Sequence, residues 1–219
     1  MSTDLARIRR KVDYLLARDD VAFARNVLAD WEPDGLREAL ADEAAPPADR
    51  LLNAVAGRRF GQLWFYPEAD RHDRLVDESE TRWQGDHAKW TCVGESALAT
   101  TTAILLHAET GAAVLYDSDA WDWDLQDNFV IVRDSLAAFV DEVALDLDYR
   151  RLYYQNWTEL AVVTHSDDLE FPGIYGDPWY HLVREMRADL FGGQAVSRSR
   201  RAELLRRIDE YFSDDEDED

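Results

Sequence analysis

The side chains best suited to chemistry are scattered. Histidines stand at positions 72, 87, 107, 165 and 181, with no HExxH and no close pair at helical spacing to hold a metal. His107-Ala108-Glu109 echoes the H-x-E of zinc deaminases, in which a metal-activated water attacks the base and the glutamate moves protons. No Pro-Cys-x-x-Cys follows it, and the single thiol, Cys92, lies upstream, so two ligands are missing. Cys92 sits between Thr91 and Val93 in a strand-like run, where a thiol packs as a small apolar residue. The serine-hydrolase elbow G-x-S-x-G, the Walker A loop and G-x-G-x-x-G are absent. With 46 carboxylates in the chain, acidic pairs at any chosen spacing arise by chance and identify no glycosidase-type couple. The residues therefore point to no enzyme, no cofactor and no metal.

One segment has recognition chemistry. Between Tyr116 and Asp124, four aspartates and two tryptophans share nine residues: Asp117, Asp119, Trp121, Asp122, Trp123 and Asp124. These are the candidate partner-binding residues, because aromatic anchors supply affinity and charges steer encounter. The competing structural role folds Trp121 and Trp123 back over the sheet edge and leaves the aspartates in water. Asp117, Asp119 and Asp122 also resemble an oxygen-ligand series for calcium, but the glycine and the closing glutamate of an EF-hand are missing.

Charge narrows the partner. Against 24 basic residues the 46 acidic ones give a net charge of −22, which disfavours nucleic acid, since phosphate contacts need clustered Lys and Arg. A basic protein partner fits better. Only Lys11 and Lys89 are lysines and the other 22 basic residues are arginines, a bias typical of salt-loving or high-GC microbes, for which acidity is solvation. No apolar run approaches the ~20 residues of a membrane span, and the N-terminus lacks an apolar signal region. A cytoplasmic location is expected, which a single cysteine also suits.

The elements that must position these residues follow from periodicity. Leu5, Ile8, Val12 and Leu15 predict a first helix, and Val21, Ala24, Leu28 and Trp31 a second. A short helix is expected around Leu36–Leu40, and a helix opened by Pro47 with Leu51, Leu52 and Val55 ends at Gly57. Strands are expected at Leu63–Tyr66, Trp90–Val93, Ala103–His107, Ala113–Tyr116 and Phe129–Val132, with a hairpin turn through Thr110-Gly111. Asp134-Ser135 caps a helix whose stripe is Leu136, Phe139, Val140, Val143, Ala144 and Leu147. Glu159–Thr164 is a strand or a helical turn, and Phe171–Pro178 a loop. Two helices close the chain, Trp179–Leu190 stopped by Gly192-Gly193 and one with Leu204, Leu205, Ile208 and Phe212, before the acidic run Ser213–Asp219, expected to be disordered. The fold class is α+β, an antiparallel central sheet with helices packed on one face and helical N- and C-terminal additions.

From Trp90 to Val143 the chain resembles the SUKH superfamily, known from bacterial toxin-immunity proteins and from a fungal cell-wall regulator. The resemblance is carried by Val93-Gly94-Glu95 opening a short turn, Ala103-Ile-Leu-Leu-His107, Thr110-Gly111, Ala113-Val-Leu-Tyr-Asp117, Phe129-Val-Ile-Val132 and the helix Asp134-Ser-Leu-Ala-Ala-Phe-Val140. Upstream, Pro46-Pro-Ala-Asp-Arg-Leu-Leu52 looks like the family's proline-led helix. The turn Gly57-Arg-Arg-Phe-Gly61 departs from the family's Gly-rich turn, and nothing after Tyr149 has a counterpart. The division is a helical segment at 1–45, a SUKH-like domain at 46–150, a helical extension at 151–212 and an acidic tail at 213–219. The resemblance implies a non-enzymatic binding module, an immunity-type protein that neutralises a cognate basic toxin, often a nuclease, by occlusion. The alternatives are an adaptor in a halophilic or high-GC microbe, and a small hydrolase with an unrecognised site.

Overall fold

The apolar runs in the middle of the chain pair with one another in antiparallel fashion. The structure is a computed structural model that describes residues 3–17, 38, 40–41, 47–76, 79, 81–120, 128–153 and 177–192. Helix α1 (Thr3–Leu16) and α2 (Pro47–Val55) precede strands β1 (Arg59–Phe60), β2 (Leu63–Phe65), β3 (His72–Arg74), β4 (Trp90–Ser96), β5 (Thr102–His107), β6 (Ala113–Asp117) and β7 (Phe129–Arg133). A helical segment opening with the short helix α3 (Leu136–Ala138) and helix α4 (Pro178–Phe191) complete the described chain. The sheet runs β1-β2-β4-β5-β6-β7, with β3 also paired to β4. One edge of β4 is thus divided: Leu63–Phe65 pair with Ser96–Gly94, and His72–Arg74 with Cys92–Trp90. The fold is α+β, as its residue pattern predicts.

β1 and β3, two and three residues long, are too short to leave a periodic pattern, so pairing creates them. Gly94 differs from its expected place. It does not open a turn but lies inside β4, opposite Phe65 and Ile104, beside a bulge. A Cβ there would stand 2.2 Å from the Trp64 carbonyl oxygen, so only glycine lets β2 close on β4.

One face of the sheet presents Phe60, Phe65, Val93, Ile104, Leu115 and Ile131 to the helices. The predicted stripe Leu5, Ile8, Val12 and Leu15 of α1 joins this core, as do Leu51 and Val55 of α2 and Trp179, Val183 and Met186 of α4. Each such side chain contributes roughly 1.5–3 kcal/mol by leaving water. The helices before and after the sheet therefore share its core. Helix α4 is bounded as the sequence implies: the Asp177 carboxylate accepts the Trp179 N–H at 2.8 Å, Pro178 takes the first turn, and Gly192 caps the end.

After β7, Ser135 Oγ accepts the Ala138 N–H at 3.1 Å and starts the expected helix. Only Leu136–Ala138 wind as α-helix; Phe139–Ala144 form a π-helical turn and Leu147–Tyr153 a 3-10 helix. The stripe is still buried from Leu136 to Ala144, with Leu147 half-buried, but so is Asp141 between its apolar members. The Lys11 ammonium bonds both the Asp141 carbonyl and the Asp146 carboxylate at 2.7 Å, which the wider turn accommodates.

The other face carries Trp90, Cys92, Leu105, Val114, Tyr116 and Phe129. A strap over residues 81–89 covers part of it, with the Trp83 ring edge-on to Trp90 and Phe129 at 5.3 and 6.1 Å. The expected helix at Val21–Trp31, the segment Glu159–Thr164, the helix around Leu204–Phe212 and the run Ser213–Asp219 lie outside the described residues. Among the described residues no helix is long and apolar enough to cross a membrane.

Candidate functional site

The uncovered part of this second face is built by cross-strand pairing. Arg59 stands opposite Trp64, and Trp64 opposite Glu95. Ala103 then pairs with Tyr116 and Tyr116 with Phe129. Trp64, Tyr66, Glu95, Arg59 and Arg74 are half-buried and His72 is exposed.

These side chains hold one another in place. The Tyr66 hydroxyl donates to Glu95 Oε2 at 2.6 Å, and burial, reinforced by that carboxylate, drives its pKa far above the usual phenol value. Trp64 meets the Tyr66 ring edge-on at 5.3 Å, and His72 lies nearly parallel to Tyr66 at 6.5 Å. The Arg59 guanidinium covers Trp64 at 5.2 Å, and Arg74 covers Tyr116 at 5.4 Å. A rigid sheet thus displays tryptophan, tyrosine and arginine, the types in which binding hot spots are enriched.

Tyr116 leads into the acidic turn. Asp117 is fully buried, and its Oδ1 accepts the Asp119 N–H at 3.1 Å. Asp119 is exposed. The neck of the turn is tied by the Asp117 N–H to the Asn128 carbonyl at 2.9 Å and the Ser118 N–H to the Thr101 carbonyl at 3.4 Å. Of the six residues expected to meet a partner, the structure describes two: Asp117, buried at the end of β6, and Asp119, exposed two residues on. Trp121, Asp122, Trp123 and Asp124 lie outside the described residues.

The residues with catalytic associations have other employment. His107 Nε2 donates to the Asp86 carbonyl at 3.0 Å, while Nδ1 accepts the Glu109 and Thr110 N–H groups at 3.3 and 3.2 Å. This assigns the tautomer from the network and makes His107 the fastening of the strap. Burial pushes the Cys92 thiol up from its usual pKa, and its Sγ donates to the Gly94 carbonyl at 3.5 Å. Among the described residues no three His, Cys, Asp or Glu side chains gather to hold a metal.

Sequence reasoning missed Arg59, Trp64, Tyr66, Glu95 and Arg74. The run Leu63-Trp64-Phe65-Tyr66 reads as uniformly apolar, yet its buried and half-buried residues alternate, so Trp64 and Tyr66 face away from the helices. The signal was the arginine before the run combined with the polar reach of an indole and a phenol in alternate positions. Compared with models of protein families, with curated proteins and with solved structures, the chain gives no match.

Proposed function

We propose that this chain is a non-enzymatic protein-binding module of the immunity type, which occludes the functional surface of a basic toxin domain in the cytoplasm. The observation that carries this reading is the preorganised Trp64–Tyr66 pair, fixed by Glu95, His72 and Arg59 on a rigid sheet beside an acidic turn. Ordered aromatic side chains lose little freedom on binding, so their desolvation is available as affinity. The charge of −22 supports a basic partner by raising encounter rates at low salt and opposing other acidic proteins. The resemblance of the strands and serine-led helix to SUKH proteins supports the immunity role.

The test uses a toxin domain encoded beside the gene. Co-expression of the full chain is expected to restore growth of cells producing that domain. The double substitution Trp64→Ala with Tyr66→Ala should weaken binding by at least ~2 kcal/mol in calorimetry, with folding checked by circular dichroism, and abolish protection. Asp119→Asn should act mainly on the association rate, and only at low salt. Unchanged binding by the folded double variant would place the interface elsewhere.

A further inference from the structure

We infer that the strap over residues 81–89 is an acid-released cover of the second face, with His107 as its proton sensor. This does not rest on partner binding, because the free chain carries the whole device. His107 is buried at the end of β5, and both of its ring nitrogens are engaged. Nε2 donates to the Asp86 carbonyl at 3.0 Å and ties the strap to the sheet. Nδ1 accepts the Glu109 and Thr110 N–H groups, which the hairpin turn fixes through the Gly111 N–H on the His107 carbonyl at 2.9 Å. A second proton would sit on Nδ1 and turn an acceptor into a donor facing two donors. Imidazolium and closed strap therefore exclude each other. Closure is present at neutral pH and is lost as pH falls below the range in which a water-exposed imidazole takes up its proton, about pH 6.5.

The charged groups around the ring are the Asp86 and Glu109 carboxylates and the Lys89 ammonium that bridges them. All three reach water, so their pull on the ring is screened, whereas the two N–H groups are fixed against it. The Ala88 N–H and Lys89 hold the Asp86 carboxyl below its usual range, so it stays ionised where imidazoles titrate. The Trp90 and Trp83 rings, at 4.9 and 6.0 Å, complete the surroundings of His107. The strap's own imidazole, His87, lies nearly parallel to Phe129 at 6.5 Å and donates from Nε2 to the Trp83 carbonyl at 2.9 Å. Trp90 and Phe129 are only 1% and 5% exposed beneath this cover. The Lys89 carbonyl is held by the Ala108 N–H at 2.8 Å, so release is confined to the residues before it. Opening uncovers Trp90 and Phe129 beside Tyr116 and extends the aromatic face.

The full chain is followed by NMR from about pH 7.5 to about pH 5 in about 0.15 M KCl, reading imidazole nitrogens, indole N–H signals and the amides of α1. Expected is that an uncharged soluble paramagnetic probe broadens the Trp83 and Trp90 indole signals with the same midpoint at which His107 takes up its proton, while the α1 amides stay protected. His107→Gln keeps a donor for the Asp86 carbonyl but does not titrate, and should abolish the step. Trp83→Ala loosens closure without touching the imidazole and should raise the His107 midpoint by at least about 0.5 pH unit, toward the ordinary value. Indole signals that stay protected while His107 titrates overturn the proposal, as does a step that persists in His107→Gln or one shared by the α1 amides, which would be unfolding of the whole chain. Should His107→Gln not fold, Trp83→Ala decides: a raised midpoint supports the cover, and an unchanged one overturns it.

Discussion

At the helical face the Lys11 ammonium stands between Asp141 and Asp146, Arg7 approaches each at 3.2 Å, and Arg187 pairs with Asp146. In the turn after β6, Asp117 is buried as completely and has one backbone N–H. The difference follows from where the charges come from. Helix α1 carries Arg7, Arg9, Arg10 and Lys11 and is packed against the π-helical turn by its apolar stripe, so tertiary packing delivers cations to the carboxylates. The turn is made of consecutive residues in a stretch, 90–132, without Lys or Arg, so its own sequence neighbourhood carries no cation.

The carboxylates of the compensated cluster divide in their titration. Burial pushes Asp146 up, but the bonds from Lys11, the Leu147 N–H and Arg187 outweigh it and hold the group below its usual range. For Asp141 burial prevails over Lys11 and Arg7, and the pKa is raised. A buried ion pair is thus balanced between desolvation and attraction, and removing one partner costs more than the pair itself gains.

The largest effect that would break the contrast is Lys11→Met, which strands two buried carboxylates and should destabilise by about 3–5 kcal/mol in urea unfolding. A loss below about 1 kcal/mol would mean that Arg7 and Arg187 suffice. Tyr153→Phe removes one of the two hydroxyls on Asp177 and should cost about 1–2 kcal/mol by the same measurement.

Acid sharpens the comparison further. The folded pKa of Asp146 is depressed, so its contribution is present above the ordinary value of 3.8 and is lost as pH falls through the folded value. That of Asp141 is raised, so its contribution is present below 3.8 and is lost as pH rises through the folded value. Asp146→Asn should therefore flatten the acid loss of stability below pH 3.8, and Asp141→Asn should steepen the loss just above it. The smallest change is expected from KCl. Raising it from 0.1 to 1 M shortens screening from ~10 to ~3 Å and should lift the melting temperature by a few degrees, leaving the paired cluster intact.

Apolar periodicity made most of the described fold legible. The stripe of α1, the proline-led α2, the strands from Leu63 to Val132 and the cap at Ser135 could each be read because their signal is local. The π-helical turn could not, because the Lys11 ammonium that bonds its Asp141 carbonyl comes from 130 residues away, and a lysine on a helix reads as solvated. Gly94 misled for the same reason, since its role is set by a neighbouring strand. At the candidate site the acidic turn was visible as composition, but whether an aspartate points inward is a property of the folded neck, and four identical residue types carry no mark of it. The strap at 81–89 has no period, and its place is fixed by contacts of Trp83 and His107 that only the finished sheet provides.

The helix synthesised near the start of this chain is completed by residues near its described end: Arg10 donates to the Leu190 carbonyl at 3.1 Å, 180 residues away. At about 5–20 residues per second, α1 waits on the order of 10–30 s for its last neighbour on the ribosome. During that wait an amphipathic helix is open to mistaken docking. Lys11, set within the apolar stripe beside Ile8, Val12 and Leu15, penalises every apolar surface that lacks a pair of carboxylates, since wrong burial would strand an ammonium. The residue that makes the finished interface expensive to break also makes the unfinished helix selective about where it settles.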